Sequence, residues 1–154
     1  MKKQQLVKVI EKAAAICKQS GGQLTAKRKK ILELLLSSDV PLSAYEVADA
    51  HNKQSETSMP AMSVYRMLDF LASEQLVHKL SSTNKYIACS HIACEHSHEV
   101  PQFLICGKCQ RVKEITIAKR IVDELATQVN NAGYQLATPQ LELDCLCERC
   151  LSND

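Results

Sequence analysis

The sequence predicts an α+β chain in two parts, and two observations lead to this prediction. In the first part, apolar residues recur at helical spacing as far as Leu71, and two short extended runs then follow. In the second part, two Cys-x-x-Cys pairs lie among short extended runs and one helical stretch. We therefore expect helices followed by a hairpin, and then a smaller α/β unit.

The first two helices have clear ends. Apolar residues predict a first helix over residues 3 to about 19, which Gly21 and Gly22 end. Thr25 is a suitable N-cap for a second helix, whose apolar residues lie between Ile31 and Leu35.

The third and fourth helices follow the same logic. Ser43 and Glu46 form a capping box that begins a short third helix. Met59 and Pro60 open a fourth helix after a polar connection. One side of this helix is apolar, with Val64, Leu68 and Leu71.

The two extended runs, Val77 to Leu80 and Lys85 to Ala88, are separated by four turn-forming residues and predict a hairpin. Three or four helices and a hairpin within about 85 residues, in a segment that carries basic charge, describe a winged helix-turn-helix domain. We assign residues 1–88 to this domain, with the fourth helix reading the nucleic acid.

The remaining chain predicts a linker and a second domain. Residues 89–100 are polar and rich in Cys and His, and residues 101–154 form the α/β unit. Strands are expected at Phe103–Ile105 and at Val112–Ile117, with a helix between Ile117 and Val129 that ends at Gly133. A third strand is expected from Tyr134 to Leu143.

Charge is unevenly distributed in the 154-residue chain, whose net charge is +2. Residues 1–30 hold nine Lys and Arg against Glu11 alone, whereas residues 90–154 hold six against nine acids. The basic half favours phosphate contacts, although a solvated helix face would give the same pattern. Eight cysteines, with no apolar leader and no long apolar run, indicate a cytoplasmic protein whose thiols are metal ligands, with no membrane span.

The two Cys-x-x-Cys pairs are Cys106 with Cys109 and Cys147 with Cys150. Two intervening residues let both sulfurs of a turn reach one ion, and two such turns complete a closed tetrahedral shell. Cysteines dispersed by chance would need two coincidences of spacing. The sequence therefore predicts a structural zinc site.

A second group of potential ligands spans the hairpin, the linker and the strand after the first Cys pair. Its members are His78, Cys89, His91, Cys94, His96, His98 and Glu114. A site of one thiolate, two imidazoles and one carboxylate favours zinc over iron(II) or manganese(II), which prefer N/O ligands. Imidazole and thiol must lose protons to bind, so the occupancy of such a site depends on pH and on the concentration of free metal. This dependence suits a sensor.

Several motifs in this order resemble the ferric uptake regulator superfamily, and within it the zinc uptake regulator branch. They are LTAKR at 24–28, SAYEV at 43–47, SVYRMLDFL at 63–71, VHKLSSTNKYIAC at 77–89, HSHEVPQFLICGKC at 96–109, VKEI at 112–115 and CERC at 147–150. The resemblance covers nearly the whole chain. It implies a DNA-binding winged helix, a C-terminal dimerisation domain and a metal-set hinge.

The resemblance also implies roles for individual residues. The four paired cysteines hold the structural zinc, and a second zinc in each subunit is regulatory, bound by His78, Cys89, His98 and Glu114, with His96 as the alternative to His98. Tyr45 and Ser63 are implied as DNA contacts, and Tyr65 is either a contact to a thymine or a core residue. Arg66, three residues after Ser63 on the polar side of the fourth helix, is suited to pair with a guanine edge. Lys27, Arg28, Lys79 and Lys85 are expected to contact phosphates.

Together these inferences predict a homodimeric, zinc-responsive repressor of zinc uptake genes that binds a palindromic operator, with no small-molecule substrate. An iron-, manganese- or peroxide-responsive regulator is the alternative within the superfamily. A hydrolase with zinc on His78, His98 and Glu114 lacks an evident general base. An interaction module without DNA binding leaves the SVYR motif and the basic half unused.

Overall fold

The computed structural model describes residues 1–94 and 100–152, and the chain divides into two compact units, Met1–His96 and Ser97–Asp154. The first unit contains α1 Lys3–Gln19, α2 Ala26–Leu36, α3 Ala44–Gln54, α4 Ala61–Ser73, β1 Val77–Leu80 and β2 Lys85–Ala88. The second contains β3 Gln102–Cys106, β4 Val112–Ile115, α5 Lys119–Asn131, β5 Glu142–Cys145 and α6 Glu148–Leu151. This arrangement confirms the α+β fold class.

Local sequence signals set the ends of the helices as expected. The Thr25 hydroxyl accepts a hydrogen bond from the Arg28 amide at 3.3 Å and caps α2. At α3 the capping box is complete, because the Ser43 hydroxyl accepts from the Glu46 amide at 3.1 Å and the Ser43 amide donates to the Glu46 carboxylate at 2.6 Å. Gly133, with φ of 85°, lies just beyond α5 and ends it.

The core of the first unit lies between the helices and the hairpin. Its buried apolar residues include Ile10, Cys17, Ile31, Leu32, Leu35, Val47, Val64, Leu68, Leu71, Leu76 and Tyr86. A backbone bridge ties the hairpin to the segment before α3, with Leu42 and Tyr86 exchanging hydrogen bonds of 3.0 and 2.8 Å. The β1–β2 hairpin is therefore anchored to the helices both by buried side chains and by backbone hydrogen bonds.

The second unit is built on a three-stranded sheet in the order β4-β3-β5. β3 pairs antiparallel with β4 and parallel with β5, and α5 lies in the connection between β4 and β5. Gln102, Phe103, Ile105 and Cys106 on β3 are its buried residues within the described part of the chain.

The prediction of a strand throughout residues 134–143 was wrong. β5 covers Glu142–Cys145, and no strand is assigned to residues 134–141. Pro139 has no N–H to give to a ladder. The side chain of Gln102 takes the place of the ladder there, because its amide nitrogen donates to the Pro139 carbonyl at 2.9 Å and its oxygen accepts from the Leu141 amide at 2.5 Å.

Two smaller differences concern lengths. β4 ends at Ile115, two residues before the predicted end, and α5 begins at Lys119. The short helix α6 at the second Cys pair was not predicted. Among the described residues, no helix has the length and apolar character needed to cross a membrane.

We expect Leu68→Ala to lower the free energy of unfolding of the first unit by about 2–5 kcal/mol, because Leu68 is fully buried and truncation leaves a cavity. Chemical denaturation followed by circular dichroism measures this change. Met62→Ala, on the same helix but 65% exposed, is the control and should change stability by less than about 0.5 kcal/mol. Equal effects of the two substitutions would contradict the packing described for α4.

Candidate metal centres and nucleic-acid interface

The four paired cysteines meet at one end of the second unit. β3 ends at Cys106 and turns to Cys109, while β5 leads through Cys147, the N-cap of α6, to Cys150. Since β3 and β5 are parallel, their carboxyl ends lie at the same end of the sheet, and both turns begin there. The four sulfur atoms lie within 4.8 Å of one another, and those of Cys109 and Cys147 are 3.6 Å apart.

Hydrogen bonds from backbone amides and neighbouring thiols give the cysteines of this cluster different pKa values. Amide donation from Cys109 and Cys147 lowers the pKa of the Cys106 thiol to about 6, and the Cys147 amide is 3.4 Å from that sulfur. The amide of Cys150 lowers the pKa of Cys147. Hydrogen bonding to the Cys147 sulfur raises the pKa of Cys150 to about 12. Four thiols this close together ionise fully only when a cation neutralises them.

The donor set fits Zn²⁺. Zinc–sulfur bonds of about 2.3 Å in a tetrahedron place sulfurs about 3.8 Å apart, close to the separation seen between Cys109 and Cys147. Four thiolates would fill the shell and leave no position for substrate or water. The arrangement suits a structural ion that joins the two turns.

The hairpin brings His78 and Cys89 together in the first unit. His78 on β1 lies opposite Ile87, and the Cys89 amide, just after β2, donates to the Leu76 carbonyl at 2.9 Å. Because residues two apart share a face of a strand, the two side chains lie on one face, within 4.8 Å of each other. The His91 amide donates to the Cys89 sulfur at 3.4 Å.

The other predicted regulatory ligands do not belong to the described residues of the first unit. Glu114 lies on β4 of the second unit, paired with Phe103, and is half-buried. His98 and its alternative His96 lie outside the described residues. The described residues thus provide one imidazole, one thiolate and one carboxylate for the predicted site.

Four predicted DNA contacts lie on α3 and α4. Arg66 is exposed on the side of α4 opposite its buried residues, while Tyr65 is half-buried. Ser63 lies one turn before Arg66. Tyr45 on α3 is 68% exposed, and its ring meets that of Tyr65 edge to face, with 6.1 Å between centroids. The sequence did not predict this ring contact, because it joins two helices.

The expected phosphate contacts differ in their surroundings. Lys27 is exposed. Arg28 stacks over the Phe70 ring at 3.6 Å and donates to the Gln23 carbonyl at 2.7 Å. Lys85 pairs with Glu46 at 3.2 Å. Lys79 lies over the Tyr86 ring at 5.8 Å. Arg28 and Lys85 therefore have structural partners, and all of the DNA assignments stay predictions.

A helical unit with a β-hairpin wing, followed by a unit with a four-thiolate cluster, defines a metal-binding winged-helix protein. The model of the Ferric uptake regulator family matches residues 19–144, and the chain belongs to this family.

Among the known proteins similar to the chain, some are zinc uptake regulators by name. It is 33% identical over 151 residues to the zinc uptake regulation protein of Escherichia coli (strain K12), covering 98% of this chain and 86% of the relative. A solved zinc uptake regulator complexed with zinc and DNA aligns with a TM-score of 0.80 and 30% identity, covering 96% of this chain and 95% of that one. Holo XcZur aligns with a TM-score of 0.75 and 30% identity, covering 93% and 96%.

We expect Cys106→Ser to lower the zinc content by about one ion per chain and to lower the thermal midpoint of the second unit, because a three-thiolate shell binds zinc less tightly. Elemental analysis and calorimetry of the purified protein measure both effects. Cys17→Ser is the control, since Cys17 lies on α1 of the first unit and belongs to neither group of potential ligands. Full zinc content in Cys106→Ser would remove Cys106 from the ligand set.

Proposed function

We propose that this protein is a zinc-responsive repressor of zinc uptake genes, which binds a palindromic operator as a homodimer with zinc as corepressor. Residues 1–88 form its DNA-binding domain, 89–100 its hinge and 101–154 its dimerisation domain. Each subunit takes two zinc ions, one structural and one regulatory. Since its target is genomic DNA, it works in the cytoplasm.

Cys89 is the residue on which the preference for zinc depends. It places a sulfur beside the imidazole of His78, on a hairpin of the DNA-binding unit. A thiolate and an imidazole suit zinc better than iron(II) or manganese(II), whose sites use harder oxygen and nitrogen donors. Two of the similar proteins, at 33% and 30% identity, are named as zinc uptake regulators, which supports the same metal.

We propose that His98 and Glu114 complete the regulatory site, with His96 as the alternative to His98. His78 and Cys89 belong to the first unit and Glu114 to the second, so a single ion on these ligands would connect the two. A ligand shifts a conformational equilibrium only through different affinities for its states. Zinc then favours the arrangement in which it meets all four ligands, and that arrangement is the one that binds DNA.

Exposed apolar side chains of the second unit support the dimer. α5 has no buried residue, and Ile121 and Leu125 on it are 48% and 37% exposed. Leu143 on β5 is 41% exposed. A second copy of the chain would cover this surface, as is usual for an amphipathic helix whose apolar side is left exposed in one chain.

The alternative functions differ from the proposed one in whether they require the Cys89 thiol. An iron-, manganese- or peroxide-responsive regulator would rely on N/O ligands and would tolerate the loss of this thiol. A hydrolase would need an open coordination position and a general base, and we propose no catalytic role.

We expect Cys89→Ser to lose zinc-dependent DNA binding while it remains a folded dimer, because the four-thiolate cluster is separate from Cys89. The probe is the duplex that zinc-loaded wild-type protein selects from a randomised pool. Gel shifts with and without zinc should show a loss of at least about tenfold in affinity for the variant with zinc. Sedimentation should still give a dimer.

Cys17→Ser is the matched control, since Cys17 is also a buried cysteine of the first unit but lies on α1. It should keep the zinc response. Wild-type affinity in Cys89→Ser would contradict the regulatory assignment, and a wild-type protein that selects no duplex would contradict the proposed function itself.

A further inference from the structure

The N-terminal end of α4, the helix assigned to reading DNA, has little support of its own. Its N-cap is Pro60, whose side chain makes no capping hydrogen bond. The connection from α3 to α4 is therefore free to shift unless residues elsewhere hold it. Any such shift would move the side chains that follow, including Ser63 and Arg66.

The side chain of Asn52, near the C-terminal end of α3, holds this connection at Met59. The Met59 amide donates to Asn52 Oδ1 at 2.7 Å, and Asn52 Nδ2 donates to the Met59 carbonyl at 3.3 Å. The Asn52 side chain thus satisfies both the backbone N–H and the backbone carbonyl of Met59, as a neighbouring strand does in a backbone bridge. Met59 itself is 5% exposed, so these polar groups are fixed beside a buried side chain.

The buried residue His51 also constrains the orientation of the Asn52 side-chain amide. Because a backbone amide can only donate, the oxygen of Asn52 must face Met59. His51 Nδ1 lies 3.3 Å from the same oxygen, so a hydrogen bond there requires the proton on Nδ1. His51 is 4% exposed and has little freedom to move.

Apolar burial fixes which side of α4 faces the core, but it restrains small shifts along the helix axis less sharply than hydrogen bonds do. Val64, Leu68 and Leu71 are fully buried, but hydrophobic contacts have no preferred direction. Displacement by one residue moves a helix about 1.5 Å along its axis. A hydrogen bond to a base edge does not survive a shift of that size.

We infer that Asn52 is a positioning residue for DNA reading, which sets the axial position of α4 through its two hydrogen bonds to Met59. This inference rests on the proposed function. Its consequence is that Asn52 governs discrimination between DNA sequences and leaves the general attraction to phosphates unchanged.

The test compares Asn52→Leu with Gln54→Leu in the full-length, zinc-loaded dimer. Both residues are exposed on α3, and the Gln54 side chain makes no hydrogen bond to any other described residue. The probes are the duplex selected by the wild-type protein, all its single-base-pair variants, and a scrambled duplex of equal length. Zinc content and thermal midpoint show that each variant is folded, and Asn52→Gln repeats the test with a polar side chain of the wrong length.

We expect Asn52→Leu and Asn52→Gln to bind the selected duplex about tenfold more weakly, with discrimination reduced at every base pair that α4 reads. Binding to the scrambled duplex should not change, and Gln54→Leu should behave as wild type. Unchanged affinity in Asn52→Leu would overturn the inference, as would an equal loss on both duplexes.

Relaxed discrimination at one base pair alone would also overturn it, because that result is typical of a direct base contact. If the wild-type protein selects no duplex, the proposed function fails and this inference fails with it. If selection succeeds and Asn52→Leu is unaffected, only the inference fails.

Discussion

The second unit depends on one electrostatic constraint, that four sulfur atoms within 4.8 Å of one another ionise together only around a cation. Phe103, Ile105 and Cys106 are the buried apolar residues among the described residues of this unit, too few to stabilise a fold of this size alone. Zinc bound by the thiolates would join the end of β3 to α6 and so fix the sheet edge. The exposed face of α5 requires a second source of stability, which the proposed dimer provides.

The first unit is organised differently, because its helices and hairpin share a substantial apolar core. The predicted metal ligands and DNA contacts of this unit lie on the elements that enclose the core. His78 and Cys89 lie at the hairpin, while Tyr45, Tyr65 and Arg66 lie on α3 and α4. The unit therefore holds a predicted metal-ligand pair and the predicted DNA contacts on one stable frame. In the proposed function, an ion on that pair ties this frame to the dimerisation domain.

Local signals made most of the fold predictable from the sequence. Thr25, Ser43 and Gly133 mark helix ends through contacts with residues close in the chain, and the structure places them as expected. The hairpin was predicted with its strands at the observed residues, because four turn-forming residues separate two extended runs. The spacing of the paired cysteines likewise predicted a cluster, since each pair belongs to one turn.

Features that depend on distant partners were not predictable in this way. No sequence pattern indicated that Gln102 would satisfy the backbone around Pro139, and the alternation there was mistaken for a strand. The Asn52 contact with Met59 and the stacking of Arg28 on Phe70 arise from tertiary packing. The assignment of His98 and Glu114 to one ion rests on family resemblance, because no local pattern joins residues of two units.

The central claim is that the mixed site, and not the four-thiolate site, controls DNA binding. A titration of the metal-stripped dimer with zinc, with affinity for the selected duplex measured at each step, tests it most directly. We expect the first equivalent per subunit to fill the four-thiolate cluster without increasing affinity, and the affinity to rise with the second. A rise completed by the first equivalent, or an affinity independent of zinc, would contradict the claim.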